Sequence, residues 1–299
     1  LTARDGASIP AYAWLPPGEA KAIVTIAHGL AEHASRYEAF ARALTSAGYA
    51  VYAEDHRGHG ARAQENGTLG DFGAAGYEAI VEDLAVVCDA ARTAYPNRPL
   101  FFFGHSMGSV LAQRFVQLHG HELAGAVFCG TFGAIDGLDA ILGMADAAAQ
   151  GAAGPEPSTL QGQMFAGFNA PFEPKTTGFE WLSRDEAMVR AYADDPLCGF
   201  PLTNAAMASM LHGFANAWNA ENEAHVSATL PVLVVAGADD PAGAATGSLQ
   251  KLVDRYRGLG VTDLSVALYP GARHEILNET NREDVYRDLI AWFDAHLPA

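Results

Sequence analysis

Leu100-Phe101-Phe102-Phe103 is a short stretch of large apolar side chains that runs without a break into Gly104-His105-Ser106-Met107-Gly108. A run so short and so uniformly apolar fits a strand buried on both faces, as a central strand of a parallel sheet is. Ser109–Leu118 then follows with helical periodicity. A strand that passes into a helix within so few residues needs a sharp turn. Residues two before and two after the serine would collide there if they carried side chains, and both are glycine. In that setting G-x-S-x-G projects the serine hydroxyl to the carboxyl edge of the sheet, beside the N-terminus of the next helix.

The same alternation extends along much of the chain and predicts an α/β protein with a mostly parallel central sheet and helices on both faces. Strands are expected at Ala11–Leu15, Ala22–Ala27, Tyr49–Ala53 and Leu123–Cys129. Helices are expected from Ser35, with Glu38 completing a capping box, to near Gly48, and over Tyr77–Ala94 before Pro96. From about Thr131 to Ser227 no strand pattern is visible, and the Gly/Ala/Pro-rich Ala147–Pro157 reads as a mobile linker. After Pro231 the rhythm returns, with strand Val232–Ala236, helix Ser248–Arg257, strand Leu264–Tyr269 and a last helix behind a Thr280/Glu283 capping box. The expected organisation is a core domain, 1–130 and 228–299, interrupted by a helical cap, 131–227.

Composition narrows the function. A formal charge of −17 opposes nucleic-acid phosphates and anionic headgroups, so no nucleic-acid partner is expected. No apolar run reaches the roughly 18 residues that a membrane helix needs, and stable membrane insertion is not expected. No apolar stretch follows Arg4 and Asp5 as a signal peptide would require, although the chain opens on Leu1 and a removed leader is left open. The three cysteines, Cys88, Cys129 and Cys198, are widely spaced and odd in number, which suits free thiols and a cytoplasmic location. His56-x-x-His59 has no third ligand near it, so neither a metal nor another cofactor is expected. The sequence does not indicate an oligomeric state.

A serine hydroxyl is a weak nucleophile until a base takes its proton. Among the 11 histidines, His274 is best placed, in the loop directly after the last strand. A carboxylate is needed after the penultimate strand, and Val234-Val-Ala-Gly237-Ala-Asp239-Asp240 supplies two. Asp240 is preferred and Asp239 is the alternative. The order Ser106, Asp240, His274 is the one that a G-x-S-x-G elbow calls for. An oxyanion needs two N–H donors, expected from the backbones of Met107, next to the serine, and Leu30, after His28-Gly29.

Beyond these positions, His28-Gly-Leu-Ala-Glu-His33-Ala-Ser-Arg36-Tyr37 resembles the HGxxEHxxRY signature of the monoglyceride lipase and lysophospholipase family of α/β-hydrolases. Asp55–Gly60, Gly104–Gly108, Trp181–Asp185, Asp195–Phe200 and Arg273–Glu279 resemble its bacterial members, and the likeness runs from about Thr2 to Leu297. The resemblance implies the α/β-hydrolase fold, a cap over the site and hydrolysis of single-chain lipid esters. Two positions depart from the family: Ala31 where glycine is usual, which would stiffen the oxyanion loop, and Ser109 where a third elbow glycine is common.

The expected activity is a serine esterase or lipase acting on monoacylglycerol or short- to medium-chain esters, with lysophospholipid ranked after them. The alternative is a hydrolase-fold binding protein or receptor with negligible turnover. A dehalogenase or epoxide hydrolase would need aspartate where Ser106 stands. Glu32, His33, His56 and His59 are expected to brace loops. Met207, Met210 and Phe214, with Leu211 and Trp218, form one helical stripe behind Thr203. That stripe is expected to bury within the cap or at the pocket mouth, either as cap core or as a substrate-binding wall.

Overall fold

The computed structural model describes residues 1–298. Its chain order is β1 (Ala11–Trp14), β2 (Ala22–Ala27), α1 (Glu38–Ser46), β3 (Tyr49–Glu54), α2 (Gly60–Glu65), α3 (Gly76–Ala94), β4 (Leu100–His105), α4 (Met107–His119) and β5 (Gly125–Cys129). Then come α5 (Leu138–Ala149), α6 (Thr159–Phe165), α7 (Glu186–Asp194), α8 (Asn204–Ala217), α9 (Ala220–Glu223), β6 (Val232–Gly237), α10 (Ser248–Gly258), β7 (Leu264–Tyr269) and α11 (Arg282–Ala295). The strands form one sheet in the order β1-β3-β2-β4-β5-β6-β7, with only β1 antiparallel. No strand lies between β5 and β6 among the described residues, as the loss of period-two patterning predicts.

Side-chain alternation along the strands builds two cores. Ile23, Leu100, Phe102, Ala126, Phe128 and Val234 pack on the side of α3, α4, α8 and α10. Val24, Ile26, Phe101, Phe103, Val127 and Val235 pack on the side of α1 and α11. Because both faces are covered, β2, β4, β5 and β6 are buried at every residue, which explains their predominantly apolar sequences.

Several local expectations are corrected. Ser35 does not cap a helix; it lies in a short 3-10 turn, Ala34–Tyr37, and its hydroxyl is bonded to His33 Nδ1 at 2.8 Å. The Thr280/Glu283 box does not form either, because α11 starts one residue later, behind Asn281, without a side-chain cap. Thr203 does cap α8, accepting from Ala206 N–H at 3.1 Å. Ala147–Pro157 is not a free linker. α5 reaches Ala149, and the following turn is tied to α8 by bonds from Asn204 N–H to Glu156 O (2.8 Å) and Ala205 N–H to Gly154 O (3.0 Å).

The stripe on α8 packs both onto the core domain and within the insertion, where Phe132 lies against Phe214 and Trp218. Phe214 meets Tyr77 of α3 edge-on at 5.7 Å. Trp218 donates its indole N–H to Gln113 of α4 at 2.9 Å, and Gln117 donates to the Ala217 carbonyl at 2.7 Å. Gly213 permits this approach, since a Cβ there would lie 2.0 Å from the Tyr77 ring. Between β5 and β6 the described residues form α5–α9, and α8 bridges α5 on one side and α3 and α4 on the other.

Candidate active site

The turn between β4 and α4 holds Ser106 at φ 54°, ψ −121°, a conformation rare for a residue with a side chain. The flanking glycines are a steric necessity. A Cβ on Gly104 would lie 2.1 Å from the Gly108 carbonyl oxygen, and one on Gly108 would lie 2.2 Å from that of Ala27. Ser106 N–H donates to Cys129 O at 2.9 Å, locking the turn to β5. Ser109, in place of a third glycine, braces the turn by donating to the Ser106 carbonyl at 2.6 Å, and its oxygen lies 2.8 Å from the Thr131 hydroxyl.

His274 Nε2 lies 2.8 Å from Ser106 Oγ, and its Nδ1 lies 2.9 and 3.0 Å from the two oxygens of Asp240. Asp240 and His274 are fully buried, whereas Asp239 is exposed and is held by a bond from its N–H to the Ala272 carbonyl. Of the two carboxylates left open by the sequence, Asp240 alone reaches the imidazole. Burial lowers the pKa of His274, but the Asp240 carboxylate, with Glu275 and Glu32, raises it, and the net shift is upward. His105, with its ring 4.8 Å from that of His274, is driven the other way by burial, down to about 4, and stays neutral.

Two further N–H groups adjoin Ser106. Met107 opens α4, and Leu30 lies in the turn after β2; neither N–H has an acceptor among the described residues. Ala31 adopts φ 52°, so the departure from glycine places an alanine in left-handed backbone. The residues expected to brace the loops do so. Glu32 accepts from Gly29 N–H at 2.6 Å and Tyr37 O–H at 2.7 Å. His56 and His28 exchange ring and backbone bonds at 3.0 and 3.1 Å, and His33 meets Asp195 at 3.0 Å.

Arg36 and Glu275 were not singled out as a pair by sequence. Arg36 forms a two-pronged bond to Glu275 at 2.7 Å for both contacts and also pairs with Glu32. Burial favours the neutral acid at Glu275, but Arg36 outweighs it and holds the carboxyl down at about 2. Both residues lie within family-like motifs, and the position of Glu275 beside His274 was the available signal.

A cavity of about 720 Å³ opens over Ser106 and His274. Its floor includes Leu30, His105 and Met107, and its far wall includes Ile141, Met164, Phe165, Phe168 and Trp181 from the segment between β5 and α7. Of the residues expected to bind substrate, Met210 and Phe214 line this cavity. Met207 is not on the lining, although all three are buried in the same core cluster. Periodicity places all three on one helix but cannot assign their partners.

Comparison with known proteins agrees with this architecture. A family model described as Hydrolase_4, serine aminopeptidase S33, matches residues 18–281. A monoacylglycerol lipase of Mycolicibacterium smegmatis is 31% identical over 95% of this chain and 92% of its own length. The chain belongs to the monoglyceride lipase-like α/β-hydrolases. It is accordingly an ester hydrolase of the α/β-hydrolase kind. A thermostable carboxyl esterase from Bacillus coagulans, solved with glycerol, superposes on this monoglyceride lipase-like chain with a TM-score of 0.92 at 27% identity, covering 100% of this chain and 97% of the other. A structure described as a lipase in its open form gives 0.87 at 30% identity, covering 100% and 98%. No helix among the described residues is long and apolar enough to cross a membrane.

Proposed function

We propose that the protein hydrolyses monoacylglycerols and short- to medium-chain carboxylic esters by two-step acyl transfer at Ser106. The observation that carries this reading is the continuous chain from Ser106 Oγ through His274 to Asp240, set at the floor of an apolar cavity. Ser106 attacks the ester carbonyl as His274 accepts its proton, and Asp240 fixes the tautomer and supports the imidazolium. The oxyanion is met by the N–H groups of Leu30 and Met107. The tetrahedral intermediate collapses as His274 protonates the departing alcohol. Water, deprotonated by the same base, then attacks the acyl-enzyme and releases the acid.

The cavity's size lies within the range of roughly 300–1,000 Å³ usual for small-molecule sites. Its aromatic and methionine wall suits an acyl chain, and α5–α7 act as the cap. Lys251 is the only lysine or arginine on the described lining, and its ammonium is held by both oxygens of Asp136 at 2.8 Å. A neutral glycerol headgroup suits such a site better than a phosphodiester, which places lysophospholipid second. Cys88, Cys129 and Cys198 are unpaired, which supports a reducing, cytoplasmic setting.

The test is hydrolysis of p-nitrophenyl and glyceryl esters across a chain-length series, alongside labelling by a fluorophosphonate. Steady turnover with highest kcat/KM on glyceryl esters supports the proposal. Labelling without turnover would instead indicate a binding protein on this fold.

A further inference from the structure

The turn Gly29–Glu32 passes beside the serine and carries three successive main-chain N–H groups, those of Gly29, Leu30 and Ala31. A Cβ on Gly29 would lie 3.2 Å from that of Ser106. Two of the three donors are occupied by side chains. Gly29 N–H donates to Glu32 Oε1 at 2.6 Å, and Ala31 N–H donates to His59 Nε2 at 3.1 Å. Leu30 N–H, between them, has no acceptor among the described residues.

This arrangement must be maintained against strain. Ala31 sits at φ 52°, where its Cβ is disfavoured, and relaxation toward negative φ would carry Leu30 with it. Ala31 is gripped at both ends of its backbone. Its carbonyl accepts from the Tyr192 hydroxyl and from Gly199 N–H, each at 2.9 Å, and its N–H is held by His59.

His59 is equipped as a fixed acceptor. Its Nδ1 donates to the Arg57 carbonyl at 2.9 Å, which leaves Nε2 as the lone pair. The ring is caged by Phe72 at 6.0 Å and Phe200 at 5.2 Å. Burial, followed by the neighbouring His56, holds its pKa near 3, so it stays neutral wherever the enzyme works.

We infer that His59 is a positioning residue for the oxyanion hole: by taking the Ala31 N–H it holds the strained turn and leaves Leu30 N–H for the developing oxyanion. The inference rests on the acyl-transfer reading above. His59 touches neither substrate nor reacting atoms, and its effect passes through the backbone of Ala31. A buried histidine that merely filled space would influence stability and leave the transition state unaffected.

Three variants separate these roles. His59→Phe keeps an aromatic ring in the cage and removes the acceptor. His59→Gln places an amide oxygen near the Nε2 position, and His59→Asn places one near Nδ1. Each is measured for kcat and KM on p-nitrophenyl butyrate and for inhibition by a trifluoromethyl ketone analogue, which adds to the serine and leaves an oxyanion. Loss of a whole oxyanion donor costs about 10²–10³ in kcat, so its displacement should cost roughly 10–100-fold. His59→Phe should lose that factor in kcat and in ketone affinity alike, with KM nearly unchanged. His59→Gln should recover most of it and His59→Asn should not. If His59→Phe fails to fold, the Gln and Asn pair decides alone. Equal behaviour of Gln and Asn, or ketone affinity unchanged in all variants, overturns the inference. A wild-type protein that is insensitive to the ketone, or a Ser106→Ala variant that still turns over ester, removes the acyl-transfer reading first and this inference with it.

Discussion

Trp181 and His274 meet twice: the main-chain N–H of His274 donates to the Trp181 carbonyl at 3.3 Å, and the indole and imidazole rings lie 4.9 Å apart. The bonding continues on either side. Glu275 N–H donates to the Leu182 carbonyl at 2.7 Å, Arg273 donates to the carbonyls of Glu180 and Ser183, and Arg184 pairs with Glu279 at 2.8 Å. The loop after β7 and the segment preceding α7 therefore form one hydrogen-bonded unit. The orientation of His274 is set from the segment preceding α7 as well as by Asp240.

Asp240→Asn is expected to lower kcat by about ten-thousand-fold, because its amide N–H can meet imidazole Nδ1 and favour the wrong tautomer. Asp239→Asn should stay within about twofold of wild type, since Asp239 is exposed. Kinetics on p-nitrophenyl butyrate check both. Equal losses would mean that Asp239 also supports the base.

The acid limb of kcat/KM reports the base of the free enzyme. Asp240 raises the pKa of His274 above its usual 6.5 despite burial. Activity should be full above that raised value and fall as pH drops through it. In Asp240→Asn the anion is gone and burial remains, so the limb of the residual activity should move to lower pH. A limb that does not move would contradict the assigned pairing.

Arg36→Met should be strongly destabilising, by about 3–5 kcal/mol, because it strands the buried carboxylates of Glu32 and Glu275 without a cation. The sign with pH follows from Glu275, whose carboxyl is lowered from 4.5 to about 2 in the fold, burial opposing and Arg36 prevailing. That stabilisation is present above 4.5 and is lost as pH falls through about 2. Urea unfolding should therefore show a gap between wild type and variant at neutral pH that narrows in acid. A variant as stable as wild type at pH 7 would refute this account.

Met164→Trp should shift preference toward shorter acyl chains with little change on acetate esters, because Met164 is half-buried on the cavity wall. Met207→Trp should lower the melting temperature and reduce all substrates alike, because overfilling a packed core typically costs about 1–3 kcal/mol. A chain-length profile read beside a melting curve separates the two. A shift in chain length from Met207→Trp would return that residue to the pocket.

The sequence by itself determined the sheet's alternation, the elbow at Ser106 and the place of His274 after the last strand. Those features depend on few residues: two glycines that clear a turn, an apolar run buried on both faces, and the order of strands. The sequence prefers Asp240 over Asp239, but only the tertiary structure shows which of these adjacent carboxylates faces the imidazole. Gly237 packs so closely on the carbonyls of Ala272 and Arg273 that a Cβ would lie 2.2 Å from each, and this contact of two loops buries Asp240 beside the imidazole. The same holds for Met207 and Met210. A helical period places both on α8 and both are buried in one core, but the packing around α8 lets Met210 alone reach the cavity. The expected caps at Ser35 and Thr280 did not form because a capping pattern is only an offer of a hydrogen bond. At Ser35 a neighbouring imidazole took the hydroxyl instead, and at Thr280 the backbone entered its helix later than the pattern required.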